Sequence, residues 1–365
     1  MAEKRQEIGR LSYWQLVWRK FKRNRLTRIG MAILIVMYTS AIFADFLAPY
    51  GLLTIHDVYP LAPPQLPHIL DAEGSFHRPF AYAMQREVDP DTFGSIYKPR
   101  KEERFPIRFL VHGDEYQFWG LFSTDIHLFG VKEPAKLFLF GTDKNGRDLF
   151  SRVLYGARVS LSIGLIGVFL SLTLGSLLGV ASGFFGGVVD NITQRAVEVL
   201  QSFPRIPLWL AVAAAVPAEW SSIKTYFAVS VVLSLIGWAG LCRQVRGKVL
   251  ALREENYVLA ARAAGSRDFR IIVQHLFPNT LSHVLVVATL SIPWMILGET
   301  SLSFLGLGIQ PPMTSWGVLL KQAQHTRVLL DSPWIVIPAL FVIITVLAFN
   351  FVGDGLRDAA DPYAR

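Results

Sequence analysis

Cysteine is nearly missing from this chain. Cys242 stands alone among 365 residues, so no disulfide can form within it. Cys242 lies in an apolar run and reads as a small buried hydrophobe. No C-x-x-C pair and no H-E-x-x-H string occurs, which leaves metal chemistry without support. Charge is thin: 18% of residues are Asp, Glu, Lys or Arg, against 52% apolar and a mean hydropathy of +0.37. A soluble domain of this length rarely carries so much apolar character, so the composition points to a membrane protein. Acids are the scarcer sign, 28 against 36 Lys and Arg, for a net charge of +8. The basic residues gather beside apolar runs, which fits a topology signal and excludes nucleic acid as the expected partner. Internal repeats and low-complexity tracts are absent too.

What is present is a set of six apolar runs, near 29–49, 159–185, 199–218, 225–242, 281–298 and 332–353. Each approaches the roughly 20 residues that a helical crossing needs. The expectation is an all-α polytopic membrane protein with six transmembrane helices. The third run contains Arg205 near one end, where the side chain can snorkel to the interface. The first follows a long basic leader and no small-x-small site succeeds it, so it reads as an uncleaved anchor. Residues 1–28 carry nine Lys and Arg (Lys4, Arg5, Arg10, Arg19, Lys20, Lys22, Arg23, Arg25, Arg28) against two acids. Residues 243–270 carry seven against three. Six crossings put both segments on one side, and the positive-inside bias makes that side cytoplasmic, together with the C-terminus. The expected plan is a cytoplasmic segment 1–28, a first crossing 29–49, an outside insert 50–150, a core 151–353 with five crossings, and a cytoplasmic tail 354–365. Within the core, 243–280 forms a cytoplasmic loop.

The insert is rich in proline and aromatics. Runs 104–112 and 116–122 have the bias of short strands, so a small domain, α/β or β-rich, is expected. Phe105, Phe109, Phe118, Trp119, Phe122 and Phe129 are candidates for its core. Beyond it, 148–158 reads as an amphipathic helix feeding the second crossing, with Leu149, Val153 and Leu154 on one face and Arg152 opposite.

Several strings resemble sites of chemistry and fail on inspection. G-T-D-K-N-G-R-D at 141–148 has Arg147 and Asp148 where a phosphate loop needs Lys and a hydroxyl. S-S-I-K at 221–224 lacks the companion motifs of an acyl-transfer serine. Glu299 is the sole acid of 281–320. It falls about 27 Å along a helix from Leu281, where a solvated interfacial position is expected; the alternative is a place on a translocation path. Pro204, Pro207, Pro293 and Pro338 fall in apolar runs and are expected to kink helices.

The segment 257–279, Y-V-L-A-A-R-A-A-G-S-R-D-F-R-I-I-V-Q-H-L-F-P-N, interrupts the crossings on the basic side. Ala260, Ala261, Ala263 and Ala264 form a helix with minimal side chains. Gly265 can take the left-handed conformation that ends it. Ser266 is the expected N-cap of a second helix, with Asp268 in its first turn and Ile271, Ile272 and Leu276 on its apolar face. Pro278 is expected to stop that helix before the fifth crossing. The residues alone fit a helix lying on the membrane surface and a docking element equally well.

The same segment resembles the permease signature of ABC importers, with Ala260–Ala261, Gly265 and Pro278 in the signature spacing and Leu259 where an acid often stands. G-T-D-K-N-G-R-D at 141–148, S-R-V-L-Y-G-A-R-V-S-L at 151–161 and G-F-F-G-G-V-V-D at 183–190 resemble the C-type subunit of the oligopeptide/dipeptide permease family. So do S-L-S-F-L-G-L-G at 301–308, Gln310, Pro311 and Pro312, Ser315, Trp316 and Gly317, and G-D-G-L-R-D-A-A-D-P at 353–362. The long insert is a departure from compact members and is similar to the longer outer loops of some peptide and microcin importers. The resemblance implies a transport subunit of a bacterial inner membrane, not an enzyme and without a cofactor. It would form half of a translocation path with a second homologous permease. It would dock one of two ATP-binding cassette ATPase subunits through a coupling helix, with Glu255, Asn256, Tyr257, Ala260, Ala261, Arg262, Ala264, Gly265, Ser266 and Pro278 in or beside the contact. An extracytoplasmic substrate-binding protein would deliver peptide, and the bilayer would surround the whole. The rival reading, a stand-alone ion-coupled carrier or intramembrane enzyme, predicts inverted repeats or a convergent catalytic set, neither of which is found.

Overall fold

The computed structural model describes residues 13–71, 73–88, 90, 95–217 and 219–360. Lys4, Arg5 and Arg10 of the basic leader, Ala218 of the third apolar run and Pro362 of the tail lie outside the described residues. The chain forms two compact units: Met1–Ile35, Leu161–Leu302 and Ile343–Arg365 in one, Val36–Ser160 and Ser303–Val342 in the other.

In the first unit, α1 (Tyr13–Arg23) places Val17 and Phe21 four residues apart, on one face, against Ala359 and Leu356. Lys20, Lys22 and Arg23 fill its last turn, where cations suit the helix dipole. Five described helical segments are long and apolar enough to cross a bilayer: Arg25–Ile42, Leu149–Phe185, Ser222–Leu252, Asp268–Phe304 and Pro333–Ala360. We call Arg25–Ile42 α2, Leu149–Phe185 α4 and Ser222–Leu252 α7. The run expected as the third crossing is not a single helix. α5 (Gly187–Ser202) ends, Phe203 and Pro204 are extended, and α6 (Arg205–Ala213) restarts. Pro204 disfavours a helical Phe203 and lacks an N–H to bond back into α5.

Close approach of α4 and α7 rests on a glycine stripe. A Cβ at Gly175, Gly179 or Gly183 would sit 2.8 Å from the Trp238 carbonyl oxygen, 2.6 Å from that of Cys242 and 2.9 Å from that of Arg246, respectively. The spacing of four keeps all three on one face, the small-residue pattern of helix contacts in lipid. Cys242 is itself fully buried beside Trp238 and Val197.

Pro278 does not stop a helix. α9 (Asp268–Ile271), a π turn (Ile272–Leu276) and α10 (Phe277–Phe304) run on as one rod of 37 residues. The wide turn just before Pro278 takes up the missing backbone bond and the bulk of the ring, so the helix continues. Pro293 is likewise inside α10, whereas Pro338 falls in the first turn of α13 (Ile337–Ala360), where proline costs little.

The second unit holds α3 (Ala44–Leu47) and two small antiparallel sheets. One has the order β1-β2-β3 (His68–Leu70, Phe76–Val88, Ser95–Pro106), the other pairs β4 (Arg108–Phe118) with β5 (Phe122–Gly130). The run 104–112 is therefore split. Pro106 cannot donate to a ladder, β3 ends there, and Ile107 donates to the Pro79 carbonyl instead. The run 116–122 is also not one strand, since it turns at Trp119 and Gly120 with φ of +55° and +69°. Short helices α11 (Trp316–Leu320) and α12 (Thr326–Asp331) complete the unit. The Trp316 indole donates to the Val153 carbonyl at 3.1 Å, and its backbone N–H to Ser160 Oγ at 3.1 Å. Gly156 lets that segment lie against α4, where a Cβ would meet the Ser315 carbonyl carbon at 3.2 Å.

Candidate docking surface and the core that holds it

The segment 257–279 supplies α8 (Asn256–Ala263), preceded by Glu255 at the N-cap. Its end is fixed by backbone geometry. Gly265 has φ +76°, its N–H donates to the Arg262 carbonyl at 2.9 Å, and the Ser266 N–H donates to the Ala261 carbonyl at 3.0 Å. These two bonds are the Schellman closure, and they need a residue that tolerates positive φ. Ser266 serves this closure and does not cap the next helix. The N-cap of α9 is Arg267, without a side-chain bond, because Ser266 still belongs to the end of α8.

One side of α8 is anchored and the other is open. Val258 is fully buried and Ala261 half-buried, in a cluster with Val180 and Phe184 of α4, Leu241, Val245 and Val249 of α7, and Ile271 and Leu276 of the long rod. Glu255, Asn256, Tyr257, Leu259, Ala260, Ala264 and Gly265 are exposed. The Tyr257 ring lies 6.3 Å from that of His275, and the Arg262 guanidinium stacks over Phe184 at 5.0 Å. Arg262 is thus directed back onto its own chain. Pro278, thirteen residues past Gly265 in the sequence, is exposed on the rod and is not part of α8.

A second constellation stands behind this surface. Asp190 accepts from Arg246 Nε at 2.5 Å and Nη2 at 2.6 Å, a two-pronged contact joining α5 to α7, and from Ser182 Oγ at 2.5 Å. Arg253 donates to the Gly183 carbonyl at 3.1 Å. Sequence reasoning quoted Asp190 within a motif and counted Arg246 toward topology, without pairing them. The available signal was one acid and one base, each at the end of an apolar run. Val258 was missed too, because Leu259 beside it is the larger aliphatic residue and nothing in the sequence says which of the two is buried.

Glu299 is fully buried, which overturns the solvated interfacial position expected for it. The neighbouring Gly298 packs on Leu233 and Trp209, so this part of the rod faces protein. A cavity of about 100 Å³ lies within the same unit, lined by Arg205, Trp209, Gln244, Ser291, Trp294 and Met295 among others. Arg205 stands 6.0 Å from the Trp294 ring centre.

The string 141–148 is a closed turn. Asp143 Oδ1 accepts from the N–H groups of Asn145 (2.8 Å) and Arg147 (3.0 Å), while Oδ2 takes Arg147 Nε at 2.8 Å and pairs with Arg152. Arg147 and Arg152 are both engaged on this carboxylate, while Lys144 of the same string is exposed. Arg152, expected to face away from the apolar side of its helix, is buried for this reason.

The described residues combine membrane-length helices, a capped helix seated on them and a phosphate-like turn closed by a buried carboxylate, and the family matches make the chain a membrane transport component. The family model described as binding-protein-dependent transport system inner membrane component matches residues 175–365, and that of the N-terminal TM domain of oligopeptide transport permease C matches 12–64. A dipeptide transport system permease protein of Bacillus subtilis is 32% identical over 97% of this chain and 87% of its own length. An oligopeptide transport system permease protein of Haemophilus influenzae is 44% identical over 62% of this chain and 70% of its own length. A glutathione transport system permease protein of Pectobacterium atrosepticum is 39% identical over 63% and 74%. A solved structure of the MetNI methionine ABC transporter, inward facing, aligns with a TM-score of 0.46 at 16% identity, over 58% of this chain and 97% of that one. The chain belongs to the family of binding-protein-dependent transport inner membrane components.

Proposed function

We propose that this chain is a permease subunit of an ATP-driven peptide importer in a bacterial inner membrane. It forms half of the translocation path beside a second homologous permease. Two ATPase subunits supply the energy, and a substrate-binding protein delivers peptide from outside. The observation that carries the reading is α8: a short helix whose open face sets Ala260 and Ala264 beside the exposed Tyr257 and Leu259, tied through Val258 to the ends of two membrane helices and to the start of a third. A protein that docks on Tyr257, Ala260 and Ala264 and moves would move those helices with it. The names of the relatives supply peptides as the substrate class. Glu299, for which a place on the translocation path was the alternative, has no accessible surface, so the cavity beside Arg205 is the better candidate for a path contact. α5 and α6 together make the sixth crossing, which keeps both termini in the cytoplasm and residues 50–150 outside.

The test uses the four-subunit complex with its binding protein in proteoliposomes. Gly265→Trp puts a bulky L-residue at φ +76° and at the rim of the docking face. Peptide uptake is expected to fall at least about tenfold, the equivalent of 1.4 kcal/mol, while the purified complex still contains both permeases. Undiminished uptake by Gly265→Trp refutes docking at α8.

A further inference from the structure

The β4–β5 hairpin ends in an apolar tip that the transport reading does not use. Residues 116–124 read Y-Q-F-W-G-L-F-S-T and contain no charge. Trp119 is 60% exposed, Leu121 79% and Phe122 57%. The turn is tight, with the Leu121 N–H donating to the Phe118 carbonyl at 3.0 Å. It holds Trp119 at φ +55°, where asparagine or glycine would be comfortable and a bulky ring is strained. A fold that sets three large apolar side chains at a turn, one of them strained, is not built for water.

The tip has a definite place. The Trp119 indole donates to the Ile42 carbonyl at 3.2 Å, and Phe118 packs on Phe43 at 6.1 Å. Further up the hairpin, His127 Nδ1 bonds the Ala48 carbonyl at 2.5 Å. The hairpin therefore runs back along the chain from Ala48 to Ile42, with its tip toward the body of α2. Arg158 joins the tip in satisfying the end of that helix, donating to the Ala41 carbonyl at 2.6 Å and to the Ile42 carbonyl at 3.1 Å. Helix α2 is a membrane span whose first turn carries Arg25 and Arg28. From Arg28 to Ile42 the helix rises about 21 Å, less than the roughly 30 Å of a hydrocarbon layer. With Arg28 at one interface, Ile42 and whatever touches it lie within the opposite leaflet.

We propose that the tip of this hairpin, Trp119, Leu121 and Phe122, is a lipid-inserted foot that seats the second unit in the leaflet at the C-terminal end of α2. The occupant is the bilayer itself, for two reasons. The tip is continuous with exposed apolar residues of the span, Val36 and Ile42 among them, and with Phe43 just beyond it. Its Trp and Phe, on a charge-free turn, are also the side chains that collect at membrane interfaces. The indole N–H, which lipid would leave unpaired, is already bonded to Ile42.

The experiment places a nitroxide on Leu121→Cys, and separately on Phe122→Cys, with Cys242→Ala removing the one native thiol. Lys98→Cys on the exposed β3 strand is the aqueous control. The complete transporter is reconstituted in phosphatidylethanolamine/phosphatidylglycerol vesicles, and collision with oxygen is compared with collision with a water-soluble nickel chelate by power saturation. At 121 and 122 the oxygen term is expected to exceed the chelate term severalfold, with the reverse at 98. Chelate access at 121 and 122 equal to that at 98 overturns the proposal by placing the tip in water. Protection from both reagents overturns it in favour of a protein partner covering the tip. Both labelled side chains are mostly exposed, so neither substitution removes core packing.

Discussion

The start of α4 hangs on one carboxyl group. Asp148 Oδ2 accepts from the Ser151 N–H at 2.7 Å and from Ser151 Oγ at 2.6 Å, an N-cap in the expected sense. Its other oxygen is buried with no partner among the described residues. Burial pushes the Asp148 carboxyl up to about 7, against the pull of the two bonds from Ser151. The folded chain therefore binds this proton more tightly than the unfolded chain, whose carboxyl titrates near about 4. The contribution to stability is full below pH about 4 and is lost as pH rises to about 7. Asp148→Asn keeps the acceptor for Ser151 and removes the titration. Thermal unfolding in detergent between pH 5 and 8 is expected to show a decline with pH in the wild type that is smaller in the variant. Equal slopes would refute the assignment. The helix was legible in the sequence, which reads 148–158 as helical and so counts Asp148 within it rather than as its cap. The burial was not, because it depends on Tyr50 and Phe138, which pack over the turn from residues far away in the chain.

At the scale of elements, the α4–α7 contact is a close joint in the first unit, glycine against backbone carbonyl at three successive turns. Gly179→Leu would drive a side chain into the Cys242 carbonyl, where even a Cβ stands at 2.6 Å. Overpacking of this kind costs about 1–3 kcal/mol or more, so the variant is expected to lose most of its folded yield. Gly247→Ala on α7 meets open space and is expected to be neutral or to stabilise by up to about 1 kcal/mol. Monodisperse yield from size-exclusion chromatography separates the two, and equal yields would contradict the joint. The apolar runs located most helices because burial of long helices writes itself into composition. Where helices break or continue was less legible. Pro204 and Pro278 carry the same local signal, yet one sits at a break and the other within a continuous rod. The difference is a π turn, and no residue of Ile272–Leu276 announces it. In the segment 257–279 Gly265 was readable, because only its positive φ closes the helix, while the buried side at Val258 had to await the neighbouring helices.

For the whole molecule, the crossing number decides which way everything faces. Five helices alone would put the two termini on opposite sides. The α5–α6 pair, 187–213, rises about 40 Å if counted as helix throughout, enough for one more crossing. Single cysteines at Lys101 and at Leu259 in the Cys242→Ala background test this. An impermeant maleimide added to spheroplasts is expected to label 101 at once and 259 only after permeabilisation. Labelling of both from one side would refute the six-crossing plan. The link between α8 and the rod that starts at Asp268 is four residues long, Ala264 to Arg267, and the N–H groups of the first three bond back into α8. Such a joint has almost no backlash. A displacement imposed on the small helix would reach Phe304, at the far end of the rod, with hardly any lost motion, and an event at that far end would be felt at the small helix just as directly.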